Sequence, residues 1–399
     1  MDRRQFLRIA ATAALAAPAL SLSGRLFAAP ASAPRFLLVF LRGGYDCNNL
    51  LVPYASDFYY ASRPNLAIAR PDATRTNAAV ALDTEWALSP AVRDTLLPYW
   101  QRKQLAFVPF AGTADLSRSH FETQDDIESG RSGGMHGRDH SGFLARLSGL
   151  LARAPAIAFT RSLPLSFQGG GPVPNIALGG GGRVKFDARQ SAILASMYDG
   201  TALAPSAREG LALQQEVAQD RQNEMVAASR GAPGAGSFVA QSRRMATLML
   251  DKYRLGFVDV GGWDTHVNQG AAEGRLATNL ANLSAGLAAF ADALGPEWNN
   301  TVVAVVSEFG RTFRENGDKG TDHGHGTAYW LMGGRVAGGR IAGEQVAVTA
   351  ATLLQNRDYP VLTNYRDLLG GVFQRLWGLS ADQVQRVFPG ARPNDLGLV

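Results

Sequence analysis

Apolar positions along this chain come in two patterns. In the first they run unbroken. RFLLVFL at 35–41 is a continuous apolar run that stops at Arg42-Gly43-Gly44. That pattern predicts a strand over 35–42, covered on both faces, with a loop at its C-terminal end. QLAFVPF at 104–110, AIAFT at 156–160, LGFVDV at 255–260, TVVAVVSEF at 301–309 and AYWLMGG at 328–334 read the same way. In the second pattern apolar residues recur every three or four positions, which predicts amphipathic helices over 89–103, 141–153, 238–253, 275–294, 365–377 and 380–387. Ser89 and Pro90 supply the N-cap and first position of the earliest helix. A more polar helix is expected over 205–229.

Strands that alternate with helices imply an α/β fold, with a mostly parallel sheet and helices on both faces. Gly/Pro-rich residues 161–200 and GAPGAG at 231–236 interrupt the pattern, so an elaborated loop and helical region is expected near 161–237. In such sheets ligands collect at the C-terminal ends of the strands.

The first 31 residues stand outside this pattern. Arg3-Arg4 is followed by Phe6-Leu7, an Ala/Leu stretch and Ala29-Pro30-Ala31. This resembles a twin-arginine (Tat) export signal cleaved after Ala31, leaving residues 32–399 as a single domain in the periplasm or medium. The apolar run 9–22 is shorter than the roughly 20 residues a membrane span needs, so no stable span is expected after cleavage. Charge adds little. Of the net +5, Arg3, Arg4, Arg8 and Arg25 against Asp2 contribute +3, leaving +2 on the rest with no basic run, so no nucleic-acid partner is expected. Cys47 is the only cysteine, which excludes an intramolecular disulfide.

Chemistry-bearing residues cluster in the loops after the expected strands. GGYDCNN holds Asp46, LSRSHFETQD holds Ser119 and His120, and GGWDTH holds Asp264 and His266. SEFGR holds Glu308 and Arg311, and TDHGHG at 321–326 holds Asp322, His323 and His325. A loop that only turns needs Gly, Asn or Pro rather than imidazoles. Carboxylates and imidazoles together suit one or two divalent ions, with Zn²⁺ or Mn²⁺ favoured and Mg²⁺ or Ca²⁺ compatible with an oxygen-rich set. HFETQDDIES after Ser119 reads as a helix, so the hydroxyl is either its N-cap or a nucleophile. Arg42, Arg118 and Arg311 are candidates to hold an anionic group. Bland readings stand beside these: Asp46 as a helix cap, Glu308 in an ion pair with Arg311 or Arg314, His120 as a buried histidine, and His136 and His140 as neutral loop residues.

FLRGGYDCNNLLVP, RSHFETQD, GGWDTH and SEFGRTFRENGDKGTDHGHG, in this order behind a Tat signal, resemble the DUF1501 family of exported bacterial proteins. That resemblance implies an alkaline-phosphatase-like core with a bimetal site. Asp322-His323-Gly324 is similar to the Asp-His-Gly metal element of sulfatases and phosphoglycerate mutases. Carried over, Asp46, Asp264, His266, Asp322, His323 and His325 are the expected metal ligands; from the residues themselves Glu308 joins that set, and Ser119, His120 and Arg311 are the expected catalytic residues. The sequence departs from the superfamily in its Asp-x-His spacing, in the absence of a histidine after His325 and in lacking a sulfatase-type nucleophile box. The implied activity is metal-dependent hydrolysis of a small phosphate or sulfate ester. The alternative is a non-catalytic periplasmic binding or assembly protein with a structural metal, partnered by an exported DUF1800-type protein.

Overall fold

The structure is a computed structural model that describes residues 33–132, 141–178, 196–209 and 238–399. The expected export signal, His136 and His140, and all but the start of the helix expected over 205–229 lie outside these residues. Pro34–Val399 forms one compact unit.

Eleven strands are described: β1 Arg35–Leu41, β2 Leu51–Val52, β3 Val80–Ala81, β4 Ala87–Leu88, β5 Leu105–Gly112, β6 Ala156–Phe159, β7 Leu255–Val260, β8 Thr301–Ser307, β9 Thr327–Met332, β10 Arg340–Ile341 and β11 Thr363–Asn364. The large sheet runs β10-β5-β9-β8-β1-β7-β6, with β11 also on β5, while β2, β4 and β3 form a small antiparallel sheet. β1 lies inside the sheet between β7 and β8 and parallel to both, with Leu37 opposite Gly256 on one side and Val303 on the other. Every residue of β1 is buried. Its alternate side chains point to opposite faces. Leu37, Val39 and Leu41 join the core under the helices Phe238–Asp251 and Arg275–Leu294. Phe36, Leu38 and Phe40 join the core under Phe143–Leu150, Tyr365–Trp377 and Ala381–Val387. Each such buried aliphatic or Phe side chain is worth about 1.5–3 kcal/mol. The fold is therefore α/β, mostly parallel, with helices on both faces.

One strand reverses. β9 runs antiparallel to both β5 and β8. Its N-terminal residue therefore lies at the edge where the parallel strands end, and Thr327 sits opposite Ala111 near the end of β5. This reversal delivers residues 321–326 to the same edge as the loops after β1, β5, β7 and β8.

Candidate metal centre

Five loops meet at that edge. His120 opens the helix His120–Ser129, and Ser119 caps it by accepting from the Glu122 amide. The loop after β8 pairs with the loop before β9: the Gly310 amide donates to the His325 carbonyl, Gly324 to Gly310 and Thr312 to Asp322. This pairing requires glycine. A Cβ on Gly310 would lie 2.0 Å from the Gly326 oxygen, and one on Gly324 2.4 Å from the Arg311 carbonyl carbon. The glycines of TDHGHG thus let two backbones touch, and that contact sets Arg311 beside His323.

Three imidazoles converge. His120 Nε2 is 3.0 Å from His323 Nε2, which is 3.2 Å from His266 Nε2. Asp264 Oδ1 is 2.9 Å from His266 Nε2 and 3.3 Å from His323 Nε2. His120, Asp264 and His323 offer ligand atoms all within 4.8 Å of one another, and His266 joins through Asp264 and His323.

The other ring nitrogens determine what those Nε2 atoms carry. His120 Nδ1 is 2.8 Å from the Glu308 carboxylate, and His323 Nδ1 is 3.1 Å from the Arg118 carbonyl. His266 Nδ1 is 3.2 Å from Asp322 Oδ1. All three partners are acceptors; with a hydrogen on each Nδ1, the Nε2 atoms are left as lone pairs beside the Asp264 carboxylate, an arrangement that a cation between them satisfies. Lone pairs 3.0 Å apart repel unless a proton or a cation lies between them. For ligand bonds of 2.0–2.1 Å a tetrahedral zinc site has ligand–ligand edges of about 3.3 Å. The residues present therefore fit a divalent ion.

Electrostatics support the same arrangement. The bond to Glu308 raises the His120 imidazole, while burial and then the neighbouring His120 lower His323, as expected for two rings competing for one positive charge. Burial pushes the Asp264 carboxyl up, but its bond from Arg311 outweighs this and holds it below the usual range. Arg311 Nη1 lies 2.6 Å from Asp264 Oδ1, and the rest of the guanidinium is taken by Thr321.

The family profile described as protein of unknown function, DUF1501, matches residues 33–388. The chain belongs to the DUF1501 family. No curated protein matches it. Among solved structures, Ps i-CgsB bound to k-i-k-neocarrahexaose is 9% identical, with 91% of this chain and 75% of that one covered and a TM-score of 0.40. The zinc complex of the C-terminal periplasmic domain of EcEptC from Escherichia coli is 11% identical, covering 91% and 88%, with a TM-score of 0.39. BT1596, a 2-O GAG sulfatase, is 10% identical, covering 91% and 75%, with a TM-score of 0.37. Likenesses this slight carry no argument about activity.

Set against the expectations, this DUF1501 chain brings together His120, Asp264, His266 and His323 and places the other candidates elsewhere. Asp46 is not at the cluster. It is fully buried against Arg63, whose Nη2 donates at 3.1 Å, and accepts from Gln269 at 2.6 Å and from the Asn48 amide it caps. Glu308 stands one step back as the acceptor for His120, and Asp322 does the same for His266. His325 is buried near Asp115, and burial lowers its imidazole to about 4. Ser119 is a helix cap, and Arg311 holds Asp264 and Thr321 instead of facing solvent. Arg42 and Arg118 are likewise tied to protein carboxylates. Sequence reading missed Arg63, Gln269, Asn316 and the role of Gln124. Asn316 Nδ2 donates to Asp322 at 3.1 Å and Gln124 Nε2 to Glu308 at 2.9 Å; both lie inside the quoted motifs, but their residue type does not reveal the partner.

Proposed function

We propose that the chain is an exported hydrolase of phosphate or sulfate esters that works with a divalent metal held by His120, Asp264, His266 and His323. The observation that carries this is the convergence of three Nε2 atoms on one carboxylate, with an acceptor behind each ring. The nitrogen-rich set suits Zn²⁺ first and Mn²⁺ next. A bound divalent ion polarises a phosphoryl or sulfuryl oxygen and lowers the pKa of water.

The chain's own residues orient the site. Glu308, Asp322 and the Arg118 carbonyl fix the three ring tautomers, and Arg311 fixes Asp264. The candidate ligands keep side-chain exposures of 26% for His120, 27% for His323, 41% for His266 and 43% for Asp264, which favours an open site over a closed structural one. Because the Ser119 hydroxyl accepts a capping bond, the attacking oxygen is assigned to water. Residues 32–399 form the working domain, released to the periplasm after Tat export. Among the described residues no helix is long and apolar enough to cross a membrane.

The deciding experiment is elemental analysis of the purified protein beside a His323→Ala, Asp264→Ala double variant, followed by turnover of an aryl phosphate and an aryl sulfate with and without chelator. Near-stoichiometric zinc or manganese, lost in the variant, and turnover abolished by chelation are expected. A wild type that binds no divalent ion at micromolar concentration overturns the proposal. Metal without turnover of either ester decides for the second reading, a non-catalytic binding protein. That reading is favoured by Arg42, Arg118 and Arg311 being tied to protein carboxylates instead of standing open to an anionic ester.

A further inference from the structure

Behind His120 lies a chain of polar side chains that the proposed chemistry does not use. Arg42 follows β1, and its Nε lies 2.8 Å from Asp259 Oδ2 and its Nη2 2.7 Å from Glu128 Oε1. Its Nη1 donates to Gln124 Oε1 at 2.7 Å. Gln124 Nε2 lies 2.9 Å from Glu308 Oε1, and that oxygen also takes the Gly43 amide at 2.8 Å and faces His120 Nδ1 at 2.8 Å. The Glu308 side chain is fully buried.

The direction of every link follows from its first member. A guanidinium only donates, so the side of Gln124 facing Arg42 is its oxygen. The amide NH₂ must then face Glu308 and can only donate. Glu308, an ionised carboxylate, accepts from every neighbour, so His120 Nδ1 carries a hydrogen, and the Gln124 amide and the Gly43 N–H hold the carboxylate where it can take that hydrogen. In the neutral ring that leaves His120 Nε2 as a lone pair. Arg42 and Glu308 select the same orientation of the Gln124 amide from its two ends.

We propose that Arg42 and Gln124 are positioning residues that fix the tautomer of His120, so that its Nε2 faces His323 and Asp264 as a lone pair. The inference deepens the metal reading above, since its use is to present a ligand. It also gives FLRGG and FETQ a shared task, although the two stretches lie far apart in the chain. Without the amide hydrogen of Gln124, the Glu308 carboxylate loses one of its fixed donors and the ring loses its single orientation. Outer-shell partners of this kind typically change metal affinity 10–100-fold.

The test uses the full chain in two measurements. Long-range ¹H–¹⁵N correlation of the histidine rings, on protein stripped of metal, reads the tautomer directly. The expected result is Nδ1–H at His120 in the wild type, mixed tautomers in Gln124→Met and Arg42→Met, and recovery towards the wild-type pattern in Arg42→Lys, which keeps a donor. Co²⁺ affinity is then measured by titration. A 10–100-fold loss is expected in Gln124→Met, with an altered Co²⁺ absorption spectrum. Glu308→Gln alone and Glu308→Gln with Gln124→Met should lose equal affinity, because they break one chain. An unchanged His120 tautomer in folded Gln124→Met overturns the proposal. If the wild type binds no Co²⁺ yet shows the expected tautomers, the metal reading fails and the positioning role stands.

Discussion

At the scale of single residues, buried charge and a buried neutral imidazole dominate. Arg63 and Asp46 are both fully buried and bonded at both ends of the fork. Removing one partner leaves an uncompensated charge, at a cost of about 3–5 kcal/mol. Arg63→Met should show that loss in denaturant unfolding, and Asp46→Asn with Arg63→Met should lose less than Arg63→Met alone. Because Asp46 lies outside the cluster, Asp46→Asn should still bind metal if it folds. His325 gives a pH signature. Its imidazole is lowered to about 4 by burial, from an ordinary value of 6.5. Between those pH values the unfolded chain binds the extra proton, so stability is full above pH 6.5 and falls as pH drops towards 4. The slope from this one group is at most about 1.4 kcal/mol per pH unit. His120 is shifted the other way, so the comparison must be made on metal-free protein, wild type against His325→Gln. The wild type should lose more stability between pH 7 and pH 5 than the variant. Equal losses would show that His325 titrates normally in the folded state.

At the scale of elements, the helix His120–Ser129 separates two roles that its first residues suggest. Ser119→Ala removes a cap, which costs about 1 kcal/mol of stability. With water as the attacking group, the variant should keep its metal and most of its turnover, and loss of all turnover at full metal occupancy would restore Ser119 as nucleophile. Gly324→Ala should be far worse, because the new Cβ meets backbone on the paired loop and no flexible side chain can yield. The long elements were legible from apolar period alone: the helices Arg275–Leu294 and Tyr365–Trp377 match their expected ranges, and the six expected strands differ by at most two residues at their ends, whereas the two-residue strands β2, β3, β4, β10 and β11 are too short to show a period. The direction of β9 was not legible. Apolar runs carry no direction, and what fixes it is the connection. Residues 308–326 hold no helix to make a crossover, so the chain returns antiparallel.

At the scale of the whole molecule, the site was legible as a set of residue types and not as a set of partners. His120, Asp264, His266 and His323 stand out because imidazoles and carboxylates in strand-end loops have no structural duty there. Asp46 and Glu308 carry the same signal. Their fates depend on Arg63 and Gln124, which reach them from elsewhere in the chain; Arg63 belongs to no motif, and Gln124 sits in RSHFETQD with nothing in its type to show its partner. The candidate ligands come from three loops, after β5, after β7 and before β9, and Glu308 and Gly43 tie the loops after β8 and β1 to His120, so an ion bound there braces that edge of the sheet. Binding to the folded state alone stabilises it by about 2.7 kcal/mol at a free concentration 100 times Kd. Zinc or manganese should therefore raise the thermal midpoint of the wild type and of Asp46→Asn, and chelator should reverse the rise. His323→Ala should show no rise, because it removes the imidazole that touches both His120 and His266. A rise in His323→Ala equal to that of the wild type would place the ion elsewhere, and loss of the rise in a folded Asp46→Asn would return Asp46 to the ligand set.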